Sequence, residues 1–152
     1  MSIEDFKIEK RLPGYAISEY IGYEPIVKIP SNINRHEIKV IGDYAFSVNK
    51  SIKHIIVPEG IKIIGNLAFA ACTNLETIKL PNTIIKIFPN AFYRCDSLKT
   101  IIFNGNKKEW NKINIMASGL ENIKITFVKS KSEISDIIND ISEDMGKEPK
   151  DK

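Results

Sequence analysis

Apolar and polar residues alternate in short stretches along most of the chain, and one such stretch returns every 23 residues. An Ala-Phe pair recurs at this period, and three further apolar positions recur with the same 23-residue spacing. A fixed period of roughly 20 to 50 residues is the signature of a repeat architecture. The pairs are Ala45-Phe46, Ala68-Phe69 and Ala91-Phe92, and the sets are Ile52, Leu75, Leu98; Ile55, Ile78, Ile101; and Val57, Leu80, Phe103.

Each repeat predicts a short strand followed by a turn. In "LETIKLP", Leu75 to Pro81, apolar residues alternate with Thr77 and Lys79, which is the pattern of a half-buried strand. Pro81 has no backbone N–H and ends the strand. One unit cannot bury its own apolar side, whereas stacked units cover one another and pair their strands in parallel. The sequence therefore predicts a β-rich solenoid of about four to five coils over residues 26–127.

The two ends depart from the repeat. Residues 1–25 carry alternating apolar positions on both sides of the Leu12-Pro13-Gly14 turn, which predicts a capping β-hairpin. Residues 128–152 are predicted to form a short helix and a disordered charged tail. We expect the helix to seal the solenoid's C-terminal end, or else to bind a partner or a second copy. Its apolar stripe is Ile134, Ile137, Ile138, Ile141 and Met145.

Composition narrows the function classes. The chain is 43% hydrophobic and 27% charged, an ordinary composition for a soluble domain, and no apolar run approaches the ~20 residues of a membrane helix. "MSIEDFKIEKRLPGY" has charges where a signal peptide is apolar, which indicates a cytoplasmic protein. A chain from which a leader had been removed would instead be extracellular. The net charge is +3 and the basic residues are dispersed, so nucleic acid is not expected as a partner.

No arrangement of reactive residues predicts catalysis. His36 and His54 are the two histidines, and neither belongs to a Ser/His/Asp or Cys/His pattern. Phosphate loops, calcium loops and zinc spacings are absent, so no cofactor or metal is expected. Cys72 and Cys95 occupy the same repeat position. We interpret them as buried thiols, although stacked coils would also bring them close enough for a disulfide.

The repeat resembles that of the BspA-like branch of leucine-rich repeat proteins. Residues Val57 to Pro81, "VPEGIKIIGNLAFAACTNLETIKLP", carry the resemblance, and "IIFNGNKKEWNKI" is similar to the way such arrays close. The resemblance covers roughly residues 15–127. It implies a curved, right-handed leucine-rich repeat solenoid used in protein recognition, without catalysis, and many such proteins act in adhesion. In the third unit Phe88-Pro89 replaces the earlier Gly42-Asp43 and Gly65-Asn66, so we expect that turn to differ locally.

Strand residues that face away from the core form the predicted binding surface. A solenoid repeats these positions as regularly as its core, so they line up across the sheet. Ile56 and Ile102 are apolar where water is expected, and interfaces often centre on such residues inside a polar rim. Lysines outnumber acids here, which predicts a protein partner with an acidic patch. The surface comprises Lys28, Lys53, His54, Ile56, Glu76, Lys79, Lys99, Ile102 and Lys124.

A second candidate is the loop Ser31 to Glu37, which carries extra residues including Arg35 and His36. Inserts in one repeat often form a binding loop. A tolerated surface insertion would have the same appearance in the sequence. The loop is therefore a separate candidate site.

Together these patterns predict a non-catalytic protein–protein interaction module, a stand-alone binder or inhibitor acting through the outward sheet surface. Two alternatives stay open. One is an inhibitor of a host defence complex encoded by a phage or mobile element, and the other is a secreted or cell-surface adhesion module. The chain would act away from membranes, as a monomer or as a dimer through its C-terminal helix.

Overall fold

Short strands dominate the fold. The computed structural model describes residues 2–129 and 131–146. The strands in this part of the chain are β1 (Phe6–Arg11), β2 (Gly14–Tyr20), β3 (Ile26–Lys28), β4 (Asn32–Ile33), β5 (His36–Ile41), β6 (His54–Ile56), β7 (Ile63–Ile64), β8 (Thr77–Pro81), β9 (Lys86–Ile87), β10 (Thr100–Asn104), β11 (Asn114–Ile115) and β12 (Lys124–Val128). Two helices, α1 (Lys107–Trp110) and α2 (Lys131–Gly146), and a 3₁₀ turn (Ile3–Asp5) complete the fold.

The strands form two sheets along the solenoid axis. The first sheet has the order β1-β2-β5-β7-β9-β11, with β1 antiparallel to β2 and the later pairs parallel, and β4 pairs with β5. The second sheet is parallel throughout, in the order β3-β6-β8-β10-β12. Residues 23 apart lie side by side, as Ile55, Ile78 and Ile101 do. The predicted solenoid, N-terminal hairpin and C-terminal helix are confirmed.

A stack of aromatic rings runs through the core. The phenylalanine of each Ala-Phe pair turns inward, and ring centroids lie 5.2 Å apart between Phe46 and Phe69 and 5.6 Å apart between Phe69 and Phe92. Tyr20 continues the stack at 5.2 Å from Phe46, and Phe6 packs on Tyr20 at 4.9 Å. The hairpin therefore covers the N-terminal end by adding its own rings to the stack.

The turn that carries each Ala-Phe pair uses left-handed backbone at two positions. The φ angles at these positions lie between 58° and 64° although none of the residues is glycine. In the third unit the Phe88 N–H donates to Ile64 O, as the Gly65 N–H donates to Ile41 O. Phenylalanine thus keeps this bond, but Pro89 has no N–H to match the Asn66 N–H, which donates to Asp43 Oδ1 at 2.8 Å, so the turn differs locally at that one bond. The left-handed residues are Tyr44, Leu67 and Asn90, and Val48, Ala71 and Arg94.

Each cysteine thiol donates a hydrogen bond to a backbone carbonyl of the preceding coil. The Cys72 thiol donates to Phe46 O at 3.1 Å, and the Cys95 thiol donates to Phe69 O at 3.0 Å. Asn49 stands at the same position one coil earlier and donates in the same way from its Nδ2. Both cysteines are free, and burial raises the pKa of each thiol to about 12. Cys72 is buried, but Cys95 is only half-buried because it borders a shallow cleft near the C-terminal end.

Burial declines toward the C-terminal end. The inward positions Ile55, Ile78 and Ile101 are at most 1% exposed, whereas Ile125, next in register, is half-buried. Phe127 is 36% exposed although Phe103 beside it is fully buried. Within residues 2–129 and 131–146 no further strand pairs with β12, and its inward side chains are partly accessible.

Helix α2 follows β12 directly along the chain. Ile137, Ile138 and Ile141 are half-buried, and these three are not among the partly buried residues that pack against the main core. That the helix seals this end of the solenoid therefore stays a prediction. The tail, residues 147–152, and Ser130 lie outside the described residues, as do the side chains of Ile134 and Met145.

Phe69→Ala should lower the free energy of unfolding by about 3–5 kcal/mol, because it leaves a cavity between two stacked rings. Urea unfolding followed by circular dichroism measures the change. The matched control is Tyr93→Ala, which removes a ring that is 56% exposed and should cost roughly 0.5 kcal/mol. Equal losses in the two variants would contradict a stabilising role for the stack.

Both thiols should resist iodoacetamide at pH 8 in the folded protein and react once denaturant is added, because the thiolate is the reactive form. Mass spectrometry follows the reaction at each cysteine. The folded pKa of about 12 lies above the ordinary value of 9.0, so the stability that the thiols contribute should fall as pH rises from 9.0 towards 12. Folded-state labelling as fast as that of a free cysteine would contradict this account.

Candidate protein-interaction surface

The outer side of the second sheet carries the candidate surface. Side chains alternate along each strand, so residues on either side of inward Ile55 and Ile78 face outward. Strand pairing aligns the outward residues in two rows across the sheet. The first row is Ile26, His54, Thr77, Thr100 and Lys124, and the second row is Lys28, Ile56, Lys79, Ile102 and Thr126.

A line of charged residues borders the strands. The Glu76 N–H donates to Lys53 O at 2.8 Å, and the Lys99 N–H donates to Glu76 O at 3.0 Å. These three residues therefore lie side by side at a spacing of about 4.8 Å, with one half-buried acid between two exposed lysines. Lys28 and Lys124 are also exposed. We call the four exposed lysines, Lys28, Lys53, Lys99 and Lys124, the lysine rim.

Lys79 and Ile102 do not belong to the exposed surface that the sequence predicted. They are 9% and 5% exposed. Both lie inside the second row, where side chains of neighbouring strands shield them on two sides. His54 and Ile56 are half-buried. The accessible part of the predicted surface is therefore chiefly its rim.

Glu59 is a member of this surface that the sequence analysis missed. Asn104 Nδ2 donates to Glu59 Oε1 at 3.3 Å, a bond that joins the ends of β6 and β10 past β8. Burial lowers the pKa of the Lys79 ammonium, and attraction to the Glu59 carboxylate opposes part of that shift. Glu59 follows the strand-ending Pro58, but a contact between residues 45 apart leaves no periodic signal in the sequence.

The inserted loop lies against the first sheet. β4 and β5 form a hairpin whose turn residues, Asn34 and Arg35, have φ of 51° and 69°, as a two-residue type I′ turn requires. Arg35 is exposed, and the His36 ring stacks on Tyr15 with 4.0 Å between ring centroids. The structure therefore places Arg35 and His36 on a different sheet from the lysine rim.

Within residues 2–129 and 131–146 no three His, Cys, Asp or Glu side chains are close enough together to hold a metal ion. No helix in the described chain combines the length and apolar character needed to cross a bilayer.

Lys79→Met should raise the free energy of unfolding at pH 7 by about 1 kcal/mol, because it replaces a poorly hydrated charge with an apolar chain of similar length. The folded pKa lies below the ordinary 10.5, so the folded state binds this proton more weakly than the unfolded state does. Urea unfolding measures the change, with exposed Lys112→Met as control. A destabilised Lys79→Met protein would show that attraction to Glu59 outweighs burial.

The same repeat is found in other proteins. Residues 17–142 match the family model described as "BspA type Leucine rich repeat region", in six copies. No match was found among curated proteins.

Solved structures of bacterial leucine-rich repeat proteins share the fold. One from T. pallidum is 24% identical with a TM-score of 0.67, and the match covers 78% of this chain and 64% of that one. One from Bacteroides capillosus is 25% identical with a TM-score of 0.62, covering 82% of this chain and 96% of that one. The chain thus spans less than two thirds of the T. pallidum protein. With the repeat model matching residues 17–142, the chain belongs to the BspA-type leucine-rich repeat family.

Proposed function

We propose that the chain is a non-catalytic protein-binding module that works as a stand-alone binder or inhibitor through the outer side of its second sheet. Leucine-rich repeat proteins are generally binding modules, and this fold suggests a protein-interaction role. The observation that carries the proposal is the lysine rim around a sheet centre that contains the apolar Ile56.

An acidic patch on another protein is the partner chemistry that this surface fits. Four exposed lysines border the sheet, Glu76 lies between two of them, and Glu59 is bonded to Asn104. Complementary charge mainly speeds encounter and selects the partner, while a central apolar contact supplies affinity. We assign that contact to half-buried Ile56, and a partner carboxylate near Lys79 would compensate its lost hydration.

A Lys53→Glu, Lys99→Glu variant should capture roughly ten-fold less of the partner than the wild-type chain, because it replaces two attractive charges with repulsive ones. Affinity capture from lysate with quantitative mass spectrometry measures the difference. Capture by the wild-type chain should also weaken as salt is added, since exposed charges are screened.

The matched control is Lys107→Glu, Lys108→Glu, which makes the same change in net charge at exposed positions on α1. This control should capture the partner as the wild type does. Equal loss in both variants would show a general charge effect. Undiminished capture by the Lys53, Lys99 variant would move the site to the β4–β5 hairpin or to α2.

A further inference from the structure

The two edges of the second sheet differ. The β3 edge is three residues long, lies between Pro25 and Pro30, and its inward Val27 is fully buried. The β12 edge is five residues long and contains no proline. Within the described residues β12 pairs with β10 on one side and with no strand on the other. Proteins usually protect sheet edges with prolines, very short strands, charged side chains or a covering helix or loop. β12 has no proline and is not short, Lys124 is its one charged residue, and only its last residue, Val128, is buried.

The inward-facing side chains of β12 are also incompletely buried. Ile125 and Phe127 continue rows whose earlier members are fully buried, yet Ile125 is half-buried and Phe127 is 36% exposed. Leu120 and Ile123, at the same end, are half-buried too. One further strand beside β12 would bury these side chains and satisfy the backbone groups of the open edge.

The sequence of β12 is complementary to itself in antiparallel orientation. If two β12 strands pair about a two-fold axis at Thr126, each Ile125 lies opposite the other copy's Phe127, and Thr126 lies opposite Thr126. Each Lys124 then lies opposite Val128, so no like charges meet. Both apolar pairs fall on the core side of the joined sheet. A register centred on Lys124 would instead bring two ammonium groups together.

We infer that β12 is a dimerisation edge whose partner is a second copy of this chain, paired antiparallel about Thr126. The two solenoids meet end to end, and the second sheet becomes a continuous ten-stranded sheet, since each copy contributes five strands. Because the interface is two-fold symmetric, it closes on itself and gives a dimer instead of a fibre. The inference does not depend on the proposed lysine-rim function.

Charge substitutions at the axis test this arrangement on the full chain. Sedimentation velocity over a range of concentrations should show a reversible dimer for the wild type. Thr126→Lys and Thr126→Glu should each raise the dimer dissociation constant roughly five- to ten-fold, because like charges then face each other. An equimolar mixture of the two variants should regain wild-type association or exceed it. Thr77→Lys, on the outer side of central strand β8, is the matched control and should leave association unchanged.

A wild-type chain that stays monomeric up to about 1 mM would overturn the inference. So would a dimer indifferent to both Thr126 substitutions, or folded variants whose mixture fails to associate. If circular dichroism shows that the charges unfold the protein, Thr126→Cys replaces them. Paired residues at a two-fold axis are close enough for a disulfide. Mild oxidation should then crosslink Thr126→Cys but not Thr77→Cys, and equal crosslinking would overturn the inference.

Discussion

No coil of this protein can bury its apolar side alone, so every coil depends on contact with the one beside it. The aromatic stack shows this dependence most directly, because Phe46, Phe69 and Phe92 each stack on a ring contributed by a neighbouring coil. The left-handed turns also depend on contacts with the neighbouring coil. Their strain recurs at two positions in each coil, and hydrogen bonds between coils, such as that from the Phe46 N–H to Ala68 O, fix the backbone that carries it.

This dependence makes the two ends of the molecule unequal. At the N-terminal end the hairpin supplies Phe6 and Tyr20, which take the place of a preceding coil. At the other end, among the residues that the structure describes, β12 has no partner strand on its outer side and Phe127 is 36% exposed. A solenoid that is closed at one end and open at the other presents its most exposed apolar surface where the stack stops. That physical asymmetry, and not a distinctive motif, is the basis for assigning an association role to β12.

The period that builds the core also arranges the outer surface. Residues that repeat at 23-residue steps are brought into rows, and the lysine rim borders two of these rows. A residue can belong to one of these rows and still be buried, because the side chains on the neighbouring strands cover it. Lys79 illustrates the consequence: its charge lies within a sheet where hydration is poor, close to Glu59. The proposal of an acidic partner rests on this unevenly hydrated positive charge.

The sequence by itself determined the period, and with it the parallel register, the inward rows and the stacking of Ala-Phe pairs, because these features depend on spacing along the chain. It also predicted the hairpin and α2 from local pattern. Only the tertiary structure decided that Lys79 and Ile102 are buried, since their exposure depends on side chains from other coils. It likewise placed Arg35 and His36 on the first sheet and, among the described residues, left β12 with a partner strand on one side only. Spacing fixes which residues are neighbours, whereas burial depends on everything packed around them, including contacts such as Glu59 with Asn104 that no period encodes.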